Sequence, residues 1–558
     1  MGVPGFFASL IKKYDIVIPY ILDNYINCNE LYFDTNCLIH PVCMDVFKNN
    51  LNLNLNNNDL EDKMIKSVIE YIEKIINLVN PKELVYLAVD GVAPMAKMKH
   101  QRIRRYKTIK EHEIKENIAR KHNVQPVILA LKSHSETVPY IKSWNNSAIT
   151  PGTQFMRKLT KAIIRHIKLK ETNIKYIFSS CNTPGEGEHK ILQYIKENEN
   201  NKNRIIYGLD ADLIYLALAS MKDNIYLLRE KSHFNDNSSH EFNLVNIDIM
   251  KKCICEELNY DYILAKQAIY DYIFLGFLLG NDFIPSLPSV NLLNITKSLN
   301  GLEILMFYYS KIYEEIKESL VTYKNNKVTI NKVFLLELFK NLTDCEEEYF
   351  KKSSYKKKYM NCQSNKPYDI EIYRLENLIF KIDDPLELGK INLNESKKRY
   401  YEYFKINDNV YFEYFKTLEW ISYYYFDKCC DWLYIYPYDN SPFVSDIYHY
   451  LQNNDITYCY PVSNNNYKSI KPIEQLLIVL PVQSGYLLPI QYKQLMDNEL
   501  KDLYPKSFEL EFILKKKFWQ ATPKIPEINY KQILKETEKI KLEAKYDKLN
   551  IFKKPFIK

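Results

Sequence analysis

The sequence predicts an α/β fold: a mixed, mainly parallel central sheet flanked by helices, with an additional α+β region packed on it. Three observations predict it. Short continuous apolar runs end in an acid or in a turn leading to one. Stretches of helical periodicity separate them, and a block rich in aromatics and prolines follows a lysine-rich polar segment. Apolar runs alternating with helices are the pattern of strands buried on both faces, which have no solvent side to keep polar.

The strands are read in order as "LYFD" (31–34), "LVYLAVDG" (84–91), "IKYIFSS" (174–180) and "RIIYGLDAD" (204–212). Helices are read over 62–79, 97–119, 154–168, 186–198 and 265–279, where apolar residues recur at three- and four-residue spacing. Between the first strand and the first helix, "NNLNLNLNNND" (49–59) reads as a low-complexity surface loop. The polar stretch "FKKSSYKKKYMNCQSNKP" (350–367) reads as a linker, and the last thirty residues as a charged helix and tail.

Composition narrows the classes. At 558 residues and 46% hydrophobic, the chain is globular and long enough for more than one core. Its 47 tyrosines and 12 glycines reflect the bias of an AT-rich genome and say little about function. A net charge of +7 is too small to establish an acidic partner, so any such argument needs a local patch. The eleven cysteines include Cys253 with Cys255 and Cys429 with Cys430, spacings that suit no zinc knuckle, so they read as reduced thiols. The run from Tyr272 to Gly280 is far shorter than a bilayer span of ~20 residues, and no signal-peptide pattern opens the chain.

Acids gather where chemistry is expected. In open α/β sheets ligands bind beyond the carboxyl ends of the strands. That edge receives Asp34, Asp90, the pair Glu186 and Glu188 in "TPGEGEHK", the pair Asp210 and Asp212, and Asp282 in "GNDFIP". A single acidic pair is usually a solvated surface feature. Seven acids at equivalent strand ends repel one another, and burying them unpaired would cost several kcal/mol apiece. Hard oxygen donors in that number suit Mg²⁺ or Mn²⁺, and two such ions ~3.5–4 Å apart would activate a water and stabilise the leaving oxygen of a phosphodiester.

Beside them, "GVAPMAKMKHQRIRRYK" follows Asp90. Lys97, Gln101, Arg104 and Arg105 fall at i, i+4, i+7 and i+8, one face of a helix, with Arg102 off that face. A basic helix face is more often solvated than occupied; close to a cation-site aspartate, guanidinium forks with a lysine and an amide form a phosphate holder. A terminal phosphate held at a set distance from the cations makes an enzyme cut from a strand's end.

Together these motifs resemble the 5′→3′ exoribonuclease family of the Xrn/Rat type. The resemblance lies in "MGVPGFF", "YFDTNCLIH", "AVDGVAPMAKMKHQRIRRYK", "ITPGTQFM", "TPGEGEHKI", "YGLDADLI", "LLRE" and "FLLGNDFIPSLP", then in 418–447, "PIEQLLIVLP" (472–481) and "LKDLYPKSFELEF" (500–512). It implies a PIN/FEN-like nuclease core over 1–310, a connecting region over 311–367, a second region closing the channel over 368–530, and a charged helix and tail over 531–558. It implies processive, metal-dependent removal of nucleotides from single-stranded RNA bearing a 5′-monophosphate. Asp34, Asp90, Glu186, Glu188, Asp210, Asp212 and Asp282 would be the cation-site acids, and Lys97, Gln101, Arg104 and Arg105 the phosphate pocket. His40 would contact the first nucleotides and aid translocation, and Trp432 would stack near the site, leaving Trp420 in the core. His189 and Lys190 have no assigned role.

Cys37, Met95 and "YDNSP" (438–442) depart from the family's usual pattern without removing an acid or a pocket residue. The chain also stops soon after the second region, as a minimal core would. No membrane partner is expected, protein partners are left open with decapping factors as one candidate, and the cytoplasm is expected over the nucleus because the basic run "KKSSYKKK" is a weak nuclear signal. Two other classes compete. A flap-type 5′ nuclease shares the acids, but lacks here a glycine hairpin after Asp282 for gripping duplex DNA; an inactive RNA-binding scaffold would be marked by a missing acid.

Overall fold

The computed structural model describes residues 10, 13–19, 26–50, 56–124, 144–198, 201–231, 241–260, 265–290, 300–356, 362–379, 385–456 and 468–558. The opening "MGVPGFF", residues 51–55 of the asparagine–leucine loop and residues 357–361 of the lysine-rich stretch lie outside them.

An eight-stranded sheet organises the first half. Its strands are β1 (Val17–Pro19), β2 (Glu30–Asp34), β3 (Leu84–Ala88), β4 (Lys175–Ser179), β5 (Arg204–Tyr207), β6 (Ile225–Glu230) and β7 (Phe242–Asn246), with Phe556–Ile557 as the eighth. The order is β1-β7-β6-β5-β2-β3-β4 followed by Phe556–Ile557. The central pairs β6–β5, β5–β2, β2–β3 and β3–β4 are parallel, and the outer pairs are antiparallel. The four strands expected from the sequence are therefore β2 to β5, the middle of the sheet, and each ends where an acid was expected to follow.

The two-residue period of a strand divides these runs between two cores. Tyr32, Tyr86 and Ile206 face one; Leu31, Phe33, Val85, Leu87, Ile205 and Tyr207 face the other. Helices Asn36–Asn49, Asn57–Val79 and Gln154–Leu169 close the second face, while Gly187–Glu197, Asp212–Ala219, Ile247–Glu257 and Ala265–Phe277 close the first. Each fully buried Leu, Ile or Phe contributes roughly 1.5–3 kcal/mol over its exposed state, so both faces hold the parallel strands in place. The helix at 57 starts inside the expected loop because the Asn56 side chain accepts from the Asp59 N–H and caps it.

The region read as a connector over 311–367 is not a simple linker in its described part. It holds the hairpin Val321–Lys324 with Lys327–Ile330 and the helix Lys332–Lys356. Lysines dominate the end of that helix, but Phe334, Leu335, Leu338 and Phe339 at its start are core residues. Tertiary burial, invisible in the lysine count, decides the helix. Glu346 ties it to the second region: its carboxylate accepts from the Val444 N–H at 2.9 Å and the Ser445 N–H at 3.2 Å, capping the helix Val444–Asn453, and from Ser289 Oγ at 3.2 Å. Glu346 is 1% exposed. Its replacement by Ala strands these donors, and the expected loss is about 3 kcal/mol, measured as a lowered midpoint of denaturant unfolding.

The second region is mostly helical and wraps the first. Helix Asn409–Phe426 packs its Trp420, Tyr424 and Tyr425 into the core shared with Ala265–Phe277. Helix Pro472–Val479 packs against the start of helix Met95–Lys121 through Val92, Met95 and Met98. The chain end, read as a charged tail, enters the sheet: Phe556 and Ile557 pair antiparallel with Phe178 and Ile177 of β4. An edge strand offers unpaired N–H and C=O groups, and these take up the last residues. Among the described residues no helix is long and apolar enough to cross a membrane.

Candidate active site

Parallel registry brings the acids to one end of the sheet. Asp34 ends β2 opposite Ala88 of β3, and Asp90 follows two residues later. Asn36 joins the two strand ends: its amide donates to Asp90 Oδ2 at 2.9 Å and its carbonyl accepts from the Asp90 N–H at 3.1 Å. The "TPGEGEHK" turn delivers the next pair. Gly185 adopts φ +104°, and the backbone then enters helix Gly187–Glu197 with Glu186 at its N-cap and Glu188 in its first turn. A Cβ at Gly187 would sit 2.8 Å from Asp34 Oδ1 and 3.0 Å from the Ala88 carbonyl, so only glycine lets this helix start against the acids. The Gly187 N–H donates to Asp90 Oδ1 at 2.7 Å. Asp212 opens helix Asp212–Ala219, and Asp282 follows helix Ala265–Phe277.

Two nests of donor atoms result. Asp34, Cys37 and Asp210 offer atoms that all lie within 4.8 Å of one another, and so do Glu186, Glu188 and His189. Lys97 bridges Glu186 Oε2 (2.5 Å) and Asp282 Oδ2 (2.8 Å), and His100 Nδ1 lies 3.4 Å from Asp282. Tyr424, from the second region, donates to Glu186 Oε1 at 2.8 Å.

Charge explains the pKa pattern. Burial, then the neighbouring Asp90, pushes Asp34 up to about 8. Asp90 is raised by burial and then by Glu186, against the pull of the Gly187 N–H. Burial and Asp212 hold Glu188 well above its usual range, and burial, with Asp282 and Asp210 adding, brings Asp212 to about 6. For Asp282 burial is outweighed by Lys97 and His100, which hold it well below its usual value. Lys97 keeps its proton despite burial because Asp282 and Glu186 flank it. Lys97 thus neutralises part of an acidic cluster in which Asp34, Asp90, Glu188 and Asp212 are each raised by burial and by acidic neighbours. Glu188 Oε2 is buried and has no hydrogen-bond partner among the described residues. These donors fit hard divalent cations.

A cavity of about 460 Å³ adjoins the acids. Gln101, Arg104 and Arg105 line it, with His40, His112 and Thr150, and Asp90 stands in its wall. Arg105 Nη2 donates to Thr150 Oγ1 at 2.7 Å, while its buried Nη1 has no partner. Burial and then Arg104 lower Arg105 to about 9, and burial followed by Arg104 lowers His40 to about 4. The lining is short of negative charge, the condition in which an anion is welcome.

Of the expected phosphate-holding face, Gln101, Arg104 and Arg105 come together and Lys97 does not join them in the cavity lining; it turns toward the acids, where two carboxylates outbid a more distant anion site. Arg102 lies off the face as expected, its guanidinium between the rings of Tyr106 and Tyr504, each 4.9 Å away. Trp420 is fully buried and Trp432 half-buried; Trp432 does not line the cavity of His40, and its carbonyl accepts from the Met95 N–H at 2.8 Å. His189 stacks on Tyr424 at 3.8 Å, and Lys190 donates to the carbonyls of Val89 (2.7 Å) and Ser180 (3.1 Å), so it braces the strand ends. Sequence reasoning missed Asn36, Thr150, Tyr424 and Gln475, whose Oε1 accepts from the Ala93 N–H at 2.9 Å. All four stood within quoted stretches (Asn36 in "YFDTNCLIH", Thr150 in "ITPGTQFM", Tyr424 in 418–447 and Gln475 in "PIEQLLIVLP"), but only packing of the second region shows that Tyr424 and Gln475 reach this site.

A mainly parallel sheet thus carries acids that suit hard divalent cations beside a cavity lined by Gln101, Arg104 and Arg105. Residues 1–231 match the family model described as XRN 5′-3′ exonuclease N-terminus, and residues 263–377 and 382–549 match the Xrn1 helical domain. The chain belongs to the XRN 5′-3′ exonuclease family. It is 29% identical to human "5'-3' exoribonuclease 1", an alignment covering 96% of this chain and 34% of the relative. With Arabidopsis thaliana "5'-3' exoribonuclease 2" identity is 26% over 97% of the chain and 67% of the relative. With Saccharomyces cerevisiae "5'-3' exoribonuclease 1" it is 26% over 96% and 43%. The chain thus spans about a third of the human relative's length.

Proposed function

We propose that the chain is a processive 5′→3′ exoribonuclease acting on single-stranded RNA with a 5′-monophosphate. The supporting observation is the junction at Asp90, which lies both in the acid cluster and in the wall of the cavity lined by Gln101, Arg104 and Arg105. A strand end whose phosphate rests on these arginines has its first internucleotide linkage beside the acids, and a cut there releases one nucleotide. The names of the matched relatives agree with RNA as substrate.

Asp34, Asp90, Glu186, Glu188, Asp210, Asp212 and Asp282 would hold Mg²⁺ or Mn²⁺, two ions in this reading, which supply Lewis-acid activation of water and of the phosphodiester. The chain's own groups do the rest. Asn36 and the Gly187 N–H aim the Asp90 carboxylate. Lys97 Nζ keeps its proton between Glu186 and Asp282, a positive charge at hand for a phosphate. Arg105 is oriented by Thr150 with one N–H group unspent. His40, held neutral in the same cavity, presents a flat ring to a base.

Digestion of three RNAs of equal sequence, ending in 5′-monophosphate, 5′-hydroxyl and 5′-triphosphate, tests this reading with Mg²⁺ present. The monophosphate is expected to be degraded fastest, to mononucleotides and without accumulating intermediates. Equal rates on all three would remove the phosphate-holding role of Gln101, Arg104 and Arg105. A matched DNA strand tests the sugar preference.

A further inference from the structure

Carboxylates are hard donors, yet one soft atom stands among them. Cys37 lies in the first turn of helix Asn36–Asn49, and its thiol donates to Asp34 Oδ2 at 2.8 Å while its sulfur accepts from the Leu209 N–H at 3.4 Å. Sγ and the carboxylate oxygens of Asp34 and Asp210 lie mutually within 4.8 Å, close enough to share one ion after small side-chain rotations. A separate observation points to a cation in the adjoining group: Glu188, 6% exposed beside Asp212 and in the field of Asp210, has its buried Oε2 without a partner among the described residues. Magnesium is indifferent to sulfur, whereas cadmium and zinc prefer a thiolate.

We infer that Cys37 is a metal ligand that makes the Asp34–Asp210 half of the centre take thiophilic divalent ions in competition with the hard ones. On binding, the S–H bond breaks, its proton passes to water and a sulfur–metal bond forms, with no change of oxidation state. The same step frees Asp34 Oδ2 from its thiol donor. The inference rests on the cation-centre reading proposed above. Its functional meaning is a nuclease whose centre is blocked by Cd²⁺ or Zn²⁺ at concentrations where oxygen-only ligands would not hold them.

Cadmium is the probe. The full chain and its Cys37→Ser variant are titrated with Cd²⁺, following the ultraviolet thiolate-to-cadmium absorption and the heat of binding, and each is titrated separately with Mn²⁺ by the loss of the free-ion electron-spin signal. The wild-type chain is expected to show a Cd²⁺ absorption that Mn²⁺ in excess displaces. Cys37→Ser is expected to lose it and to bind Cd²⁺ at least about tenfold more weakly, since even lost supporting contacts to a metal ligand cost that much. Both proteins are expected to bind Mn²⁺. Equal Cd²⁺ absorption and affinity in the two, arising from the other cysteines, with Mn²⁺ bound by both, overturns the role of Cys37 alone. Mn²⁺ bound by neither overturns the cation centre and this inference with it. Cys37→Ala gives the same comparison if Ser, by hydrogen-bonding Asp34, disturbs the fold.

Discussion

Asp210→Ala is expected to stop RNA shortening, with turnover down by roughly a thousandfold or more, while single-stranded RNA still binds. Asp210 offers an oxygen within 4.8 Å of donor atoms of Asp34 and Cys37 and adds to the repulsion felt by Glu188 and Asp212. It therefore joins the two nests of donors, and its loss breaks the set as a unit. Metal-assisted cleavage depends on several kcal/mol of charge stabilisation in the transition state, at about 1.4 kcal/mol for each factor of ten. Binding survives because the arginine cavity is built from other residues. The measurement is single-turnover decay of a 5′-monophosphate RNA beside its equilibrium binding. Full activity in the variant would sink the assignment of Asp210 to the centre.

Arg104→Ala is expected to lower kcat/KM on 5′-monophosphate RNA by roughly 10- to 100-fold, the worth of a charge-assisted hydrogen bond of about 1.5–3 kcal/mol. On 5′-hydroxyl RNA the change should be far smaller, because that end carries no phosphate for the guanidinium to hold. The contrast matters more than either number. Burial, and then the neighbouring Arg104, lowers the proton affinity of Arg105 and of His40, so an anion in the cavity would relieve both. An equal loss on both substrates would make Arg104 a structural residue and not a reader of the strand end. Arg104→Lys restores charge without the planar fork, and only partial recovery is expected.

How much of this was legible beforehand varies with the range of the forces involved. Strands β2 to β5 were read from their apolar runs, because a strand buried on both faces writes its environment into consecutive residues. The acids at their ends were readable for the same reason: parallel strands present their carboxyl ends together, and sequence position alone then says which residues meet. The helix at 332–356 was obscured by its lysines, and the terminal strand Phe556–Ile557 by its brevity. A two-residue strand has no period to detect and exists only because β4 had an edge to offer.

The sequence by itself determined the mainly parallel sheet, the six acids that follow its strands and the basic helix that follows Asp90. Periodicity and spacing suffice for these, since neighbours in the chain dictate them. Only the tertiary structure decided that Lys97 leaves the arginines for Glu186 and Asp282, that Tyr424 reaches Glu186 from the second region, and that Cys37 sulfur stands among the oxygens of Asp34 and Asp210. Those outcomes depend on which charges and surfaces compete within a few ångströms after folding. Electrostatic attraction in a buried site is strong enough to turn a lysine away from its helical neighbours, and no spacing along the chain records it.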